Sequence, residues 1–162
     1  VARIRNDQPL LPSVYDRLID DDPTSNSEPV KTRNQVLYEL KQSVQRDLQN
    51  LLNTRWRCHE WPPGFEELEL SLINYGIPDF TGINMSGEAN CNRLREIIEH
   101  VIQSFEPRFI RVRVKIDSAI EGINRNLRFL VEGLLHAEPA PEPVIFDTQL
   151  ETTSSQFEVF SK

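Results

Sequence analysis

The chain has little cysteine, little glycine, no long hydrophobic run and no excess of positive charge. Two cysteines in 162 residues, Cys58 and Cys91, exclude a disulfide framework, and the simplest setting is a reducing cytoplasm. Apolar runs of only a few residues exclude a bilayer span, so no membrane insertion is expected. The first residues, Val1-Ala2-Arg3-Ile4-Arg5-Asn6-Asp7, lack the apolar stretch of a secretory signal. A net charge of −7 argues against nucleic acid as the main partner, because phosphate binding relies on a cationic surface. Metal ligands are sparse too. Cys58 and His59 are adjacent, but only Cys91, His100 and His136 remain to complete a tetrahedral set, so neither metal nor cofactor is expected. Asp20-Asp21-Asp22 reads as a solvated loop, since consecutive carboxylates point in different directions.

What is there describes an ordinary globular chain, 38% hydrophobic and 27% charged, long enough for one domain with a hydrophobic core. Residues 1–30, with Pro9, Pro12, Pro23 and Pro29 among polar residues, read as an extended arm. Inside it Ser13 is placed to cap a short helix over 13–19 whose apolar face is Val14, Leu18 and Ile19. Residues 31–162 form the single domain. Its first helix, residues 32–53, carries the stripe Val36, Leu37, Leu40, Val44, Leu48, Leu51 and Leu52. Lys41, Gln42, Gln45, Arg46 and Gln49 lie on the other face, toward water or another subunit. Trp56 and Trp61 plug a core edge or anchor a contact.

Leu68, Leu72, Ile73 and Tyr75 fit a short helix stopped by Gly76 and Pro78, with a strand over 68–72 as the competing pattern. Residues 81–91 read as loop. Leu94, Ile97, Ile98, Val101, Ile102 and Phe105 then repeat at helical spacing, and Pro107 ends that helix near Ser104 or Phe105. From Phe109 the period is two: Ile110, Val112, Val114 and Ile116 share the core side, and Arg111, Arg113 and Lys115 the other. Glu106 and Arg108 then fall at the mouth of the apolar side. They close the junction as an internal ion pair or engage a partner chain, and a bulge at Pro107 would reverse the parity. The basic strand face is a solvated surface or suits an acidic protein partner.

Residues 127–133, 144–150 and 156–160 read as further strands, with Pro139, Pro141 and Pro143 in a loop. Two main helices plus short ones, packed on a small antiparallel sheet from the C-terminal half, make an α+β domain. Its last strand, 156–160, is expected to leave an exposed sheet edge open to strand addition.

Three blocks carry a resemblance: Pro12-Ser13-Val14-Tyr15-Asp16-Arg17-Leu18, Ser71-Leu72-Ile73-Asn74-Tyr75-Gly76-Ile77-Pro78-Asp79 and Phe105-Glu106-Pro107-Arg108-Phe109. Taken in order, from about Pro12 to Leu150, they resemble the TssE family of type VI secretion baseplate subunits and the wider group of phage baseplate wedge proteins. The resemblance implies a structural, non-enzymatic, cytoplasmic part of a contractile injection machine. Glu106, Pro107 and Arg108 would dock onto the wedge subunits TssF and TssG. The sheet, through Arg111, Arg113, Val144, Phe146 and Leu150, would carry the first ring of the sheath proteins TssB and TssC by strand addition. Asn74, Tyr75, Gly76, Pro78 and Asp79 would form a structural motif. Two other readings are an adaptor of the same fold and a lysozyme-like peptidoglycan hydrolase. The second needs a protonated carboxylate in an apolar pocket, whereas Arg108 biases Glu106 toward the ionised form.

Overall fold

The computed structural model describes residues 14–18, 31–56, 64–68, 71–79, 87–117, 127–137, 140–151 and 154–161. Three α-helices, α1 (Val14–Leu18), α2 (Arg33–Asn53) and α3 (Glu88–Phe105), precede four strands, β1 (Phe109–Asp117), β2 (Leu127–Leu135), β3 (Glu142–Glu151) and β4 (Gln156–Ser161). The strands form one antiparallel sheet in the order β1-β2-β3-β4. The fold is α+β, as the periodicities predict.

The apolar stripes explain the packing. Leu40, Val44, Leu48, Leu51 and Leu52 of α2 and Leu94, Ile98, Val101 and Ile102 of α3 are buried. They meet the inward row of the sheet: Val112, Val114, Leu127, Phe129, Val131, Val144, Phe146, Leu150, Phe157 and Val159. α2 lies along β4 and α3 along β1, so the helices share one face. The opposite face, with Arg113, Leu130, Ile145 and Phe160 at partly or fully exposed positions, carries no helix among the described residues.

Several expectations need correction. The segment around Leu72 is neither an α-helix nor a strand where it is described, but two 3-10 turns, Glu66–Leu68 and Leu72–Asn74. Leu72 and Ile73 are exposed, so only Tyr75 of that stripe packs on the core. α3 starts at Glu88, within the predicted loop, with Gly87 as its N-cap. α1 does not bury its apolar side: Val14 and Leu18 are exposed. It is held by polar contacts instead, Asp16 accepting from Ser43 at 2.6 Å and from Arg46 at 2.8 Å, with Arg46 over the Tyr15 ring. Cys58, His59, Trp61, Ile19 and the triple Asp lie outside the described residues.

The bulge sits at Ile110 rather than Pro107. The register of β1 on β2 slips between Phe109 and Arg111, so Phe109 and Val112 both face the core while Ile110 is 48% exposed. A neighbour explains the slip. The Phe109 ring lies against Gly133, where an added Cβ would come within 2.3 Å of it. Only a residue without a side chain leaves the ring that space.

The last correction concerns the strand proposed to receive a partner. β3 begins at Glu142, takes in Pro143 from the predicted loop, and pairs with β2 on one side and β4 on the other. Val144, Phe146 and Leu150 are core residues, 0–5% exposed. They cannot be the edge. Alternation was legible in 144–150, but not which strands would flank it.

The candidate docking corner and the sheet edges

The helix-to-strand corner is built around Arg108. α3 ends with the Glu106 amide donating to the Ile102 carbonyl at 3.0 Å, and the Phe109 amide then donates to the Glu106 carbonyl at 3.1 Å. This tight turn leaves Pro107 exposed at its apex and carries the Glu106 side chain inward, 7% exposed. Arg108 pairs with it on two sides: Nε donates to Oε1 at 2.7 Å and Nη2 to Oε2 at 2.5 Å. Such a two-point pairing suits the planar guanidinium.

α2 supplies the remaining partners. Arg108 Nη2 also donates to Asp47 Oδ2 at 2.6 Å, and Nη1 to Ser43 Oγ at 2.9 Å. Burial opposes the charge on Arg108, but its hydrogen bonds and attraction to Glu106 and Asp47 prevail, and its proton affinity is raised above the ordinary value. Glu106 and Arg108 therefore form the internal ion pair that was one of the two sequence readings. Ser43 and Asp47 were missed. They lie four apart on α2, so they share a face, and Ser43 interrupts the apolar stripe beside Val44; that interruption was the available signal.

The Asn-Tyr-Gly-Ile-Pro-Asp block reaches the same corner. Tyr75 packs edge-on against Phe105 with ring centroids 5.6 Å apart. Burial first, then the negative charges of Asp47 and Glu106, raise its phenol above the ordinary value. Gly76 has φ +110°, and a Cβ there would lie 2.4 Å from the Thr54 carbonyl oxygen. Glycine is what permits that approach. Ile77 then donates to Thr54 O at 2.9 Å, and Trp56 donates to Ile77 O at 3.2 Å, a one-bridge parallel pairing of Arg55 with Ile77. Asn74 donates to Leu68 O at 2.9 Å, Pro78 is half-buried and Asp79 exposed. This block fastens the irregular segment to the end of α2.

The two sheet edges differ. On β4, the Asn53 side chain accepts from the Phe157 amide at 2.8 Å and donates to the Phe157 carbonyl at 2.9 Å, and Gln45 donates to the Val159 carbonyl at 2.7 Å. Part of the predicted solvent face of α2 is thus turned onto β4. On β1, one side chain among the described residues reaches the edge: Glu99 of α3 accepts from the Val114 amide at 2.8 Å. Arg111 and Arg113 are exposed. Lys115 pairs with Glu132 at 2.6 Å.

Fold and corner together define a small α+β structural module, rigid at one corner and ending in two distinct edges. The chain belongs to the family described as baseplate wedge protein gp25, whose model matches residues 38–140. That span runs from within α2 through the corner to β2 and leaves α1, β3 and β4 outside. No curated protein and no solved structure gives a significant match. The chain is therefore a structural component of a baseplate. No helix among the described residues is long and apolar enough to cross a membrane.

Proposed function

We propose that the protein acts in the cytoplasm as the baseplate subunit of a type VI secretion system. In this reading it joins the wedge subunits TssF and TssG to the sheath proteins TssB and TssC, and starts sheath assembly by accepting a strand at a sheet edge. Membership of the baseplate wedge family supports the assembly role, which is structural and not enzymatic. One observation carries the corner assignment. Arg108, paired with Glu106, is held from below by Ser43 and Asp47, so the exposed apex at Pro107 stands on a hydrogen-bonded base. A docking point that is already ordered loses little conformational entropy on binding.

The test must spare the ion pair, because reversing Arg108 beside buried Glu106 would unfold the corner rather than probe its contacts. Pro107→Glu changes the exposed apex and leaves the bonds of Arg108 in place, at the small cost of losing a turn proline. Co-expressed with TssF and TssG, it should lose at least ten-fold in retrieval while its thermal midpoint stays within about four degrees of the parent, as expected of the loss of one turn proline. Undiminished retrieval would remove the corner from the wedge interface. A proline in β3 would not test sheath nucleation, since β3 is paired on both sides.

A further inference from the structure

We infer that β1, and not β4, is the edge that receives the partner strand, and that this strand carries carboxylates at every second residue. The inference deepens the strand-addition reading and rests on it. It starts from backbone groups. In an antiparallel sheet an edge strand turns the N–H and C=O of alternate residues away from its neighbour. On β1 the Val114 amide is bonded to Glu99, so Val114 faces outward, and with it Val112 and Ile116. On β4 the same argument puts Phe157 and Val159 outward, through their bonds to Asn53 and Gln45.

The two edges are guarded unequally. Gln45 and Asn53 of α2 bond Val159 and Phe157, two successive outward-facing residues of β4, so α2 lines this edge. Asn53 both donates to and accepts from one residue, as a neighbouring strand would. A helix laid along an edge in this way blocks pairing with another chain. On β1 the guard among the described residues is one carboxylate on one amide, with its side chain 37% exposed. Among the described residues, no side chain donates to the carbonyls of Val112, Val114 or Ile116, and none accepts from the Ile116 amide.

Charge selects the occupant. A strand added beside β1 would place its outer-face residues opposite Arg111, Arg113 and Lys115. Lys115 is already paired, whereas Arg111 and Arg113 form no ion pair with a described residue and are exposed. Their Cα atoms are about 6.6 Å apart, two residues of strand. Carboxylates two residues apart on the incoming strand meet this spacing, and apolar residues between them would face inward beside Val112 and Val114. A cationic or neutral strand would leave both guanidiniums unmatched.

The experiment uses the full chain and a capped peptide, Thr-Glu-Val-Glu-Val-Glu-Val-Thr, against its lysine counterpart, with residue-resolved amide exchange as the readout. The glutamate peptide should slow exchange at Val112 and Ile116 at least ten-fold, and the lysine peptide should not. Arg111→Gln with Arg113→Gln, a neutral change that preserves the fold, should weaken that protection at least five-fold. Protection at Phe157 and Val159 instead would overturn the edge assignment while leaving strand addition standing. Equal protection by both peptides would overturn the charge rule. Protection at neither edge would remove strand addition itself.

Discussion

Arg108 and Arg113 stand five residues apart on either side of the bulge at Ile110, with the same side chain and opposite circumstances. Arg108 makes four side-chain hydrogen-bond contacts to Glu106, Asp47 and Ser43; Arg113 projects from the sheet into solvent. A guanidinium with its partners inside the molecule is part of the fold, and one without them is available to another molecule. Strand parity already sets them apart, Arg108 at the mouth of the apolar side and Arg113 on the other, but it leaves open whether the partner of Arg108 is inside the molecule. The structure supplies that answer: the turn after α3 and the Ser43 and Asp47 side chains of α2 enclose Arg108, while Arg113 lies beyond the bulge on the outer row.

The most severe way to break this contrast is to remove the engaged cation. Arg108→Ala leaves Glu106 and Asp47 without their common partner, and chemical denaturation should show a loss of about 3–5 kcal/mol, the cost of an uncompensated buried charge. The divide itself comes next. Gly133→Ala puts a methyl group into the Phe109 ring, and the measured stability should fall by about 2–3 kcal/mol from overpacking. A change below 0.5 kcal/mol would mean that the ring moves aside freely and that Phe109 does not set the bulge.

Asn53→Ala tests the guarded edge. With the Phe157 amide and carbonyl left without their side-chain partner, stability should drop by about 1–2 kcal/mol, and the Phe157 amide should exchange faster while Val114 is unaffected. A smaller effect separates corner from sheet by pH. Because the Tyr75 phenol is raised in the folded state by burial and by Asp47 and Glu106, its contribution is fully present below the unfolded value of about 10. It is lost as pH rises through the folded value. Tyr75→Phe should flatten that alkaline limb in a series of denaturation curves. Least of all, Arg111→Gln or Arg113→Gln should change stability by less than about 0.5 kcal/mol, as expected of exposed positions; a larger loss would show that the outer row is structural after all.

Much of the fold was legible because the signals were periodic and local. The α2 and α3 stripes, the stop before Pro107 and the alternation of β1 each rest on neighbours a few residues away. The errors fall where local pattern was thin or where a distant residue decided. The block around Leu72 had apolar residues compatible with helix and strand, and it became two 3-10 turns, with Gly76 set against Thr54. Ile110 was assigned to the core by parity until Phe109, resting on Gly133, displaced it. Within the site, Glu106, Pro107 and Arg108 were named from the chain alone, but not their support by Ser43 and Asp47, which are contributed from more than fifty positions earlier.

By itself the sequence determined the two long helices, the alternating strands and hence an α+β fold, because hydrophobic period and proline act through nearest neighbours, while the ordered motifs carried the resemblance to baseplate proteins. Tertiary structure alone decided that β3 is interior, that β4 is lined by α2, and that β1 keeps its cations exposed. Strand order and edge occupancy depend on which segments meet in space, and hydrogen bonds between residues a hundred positions apart leave no mark in the local pattern.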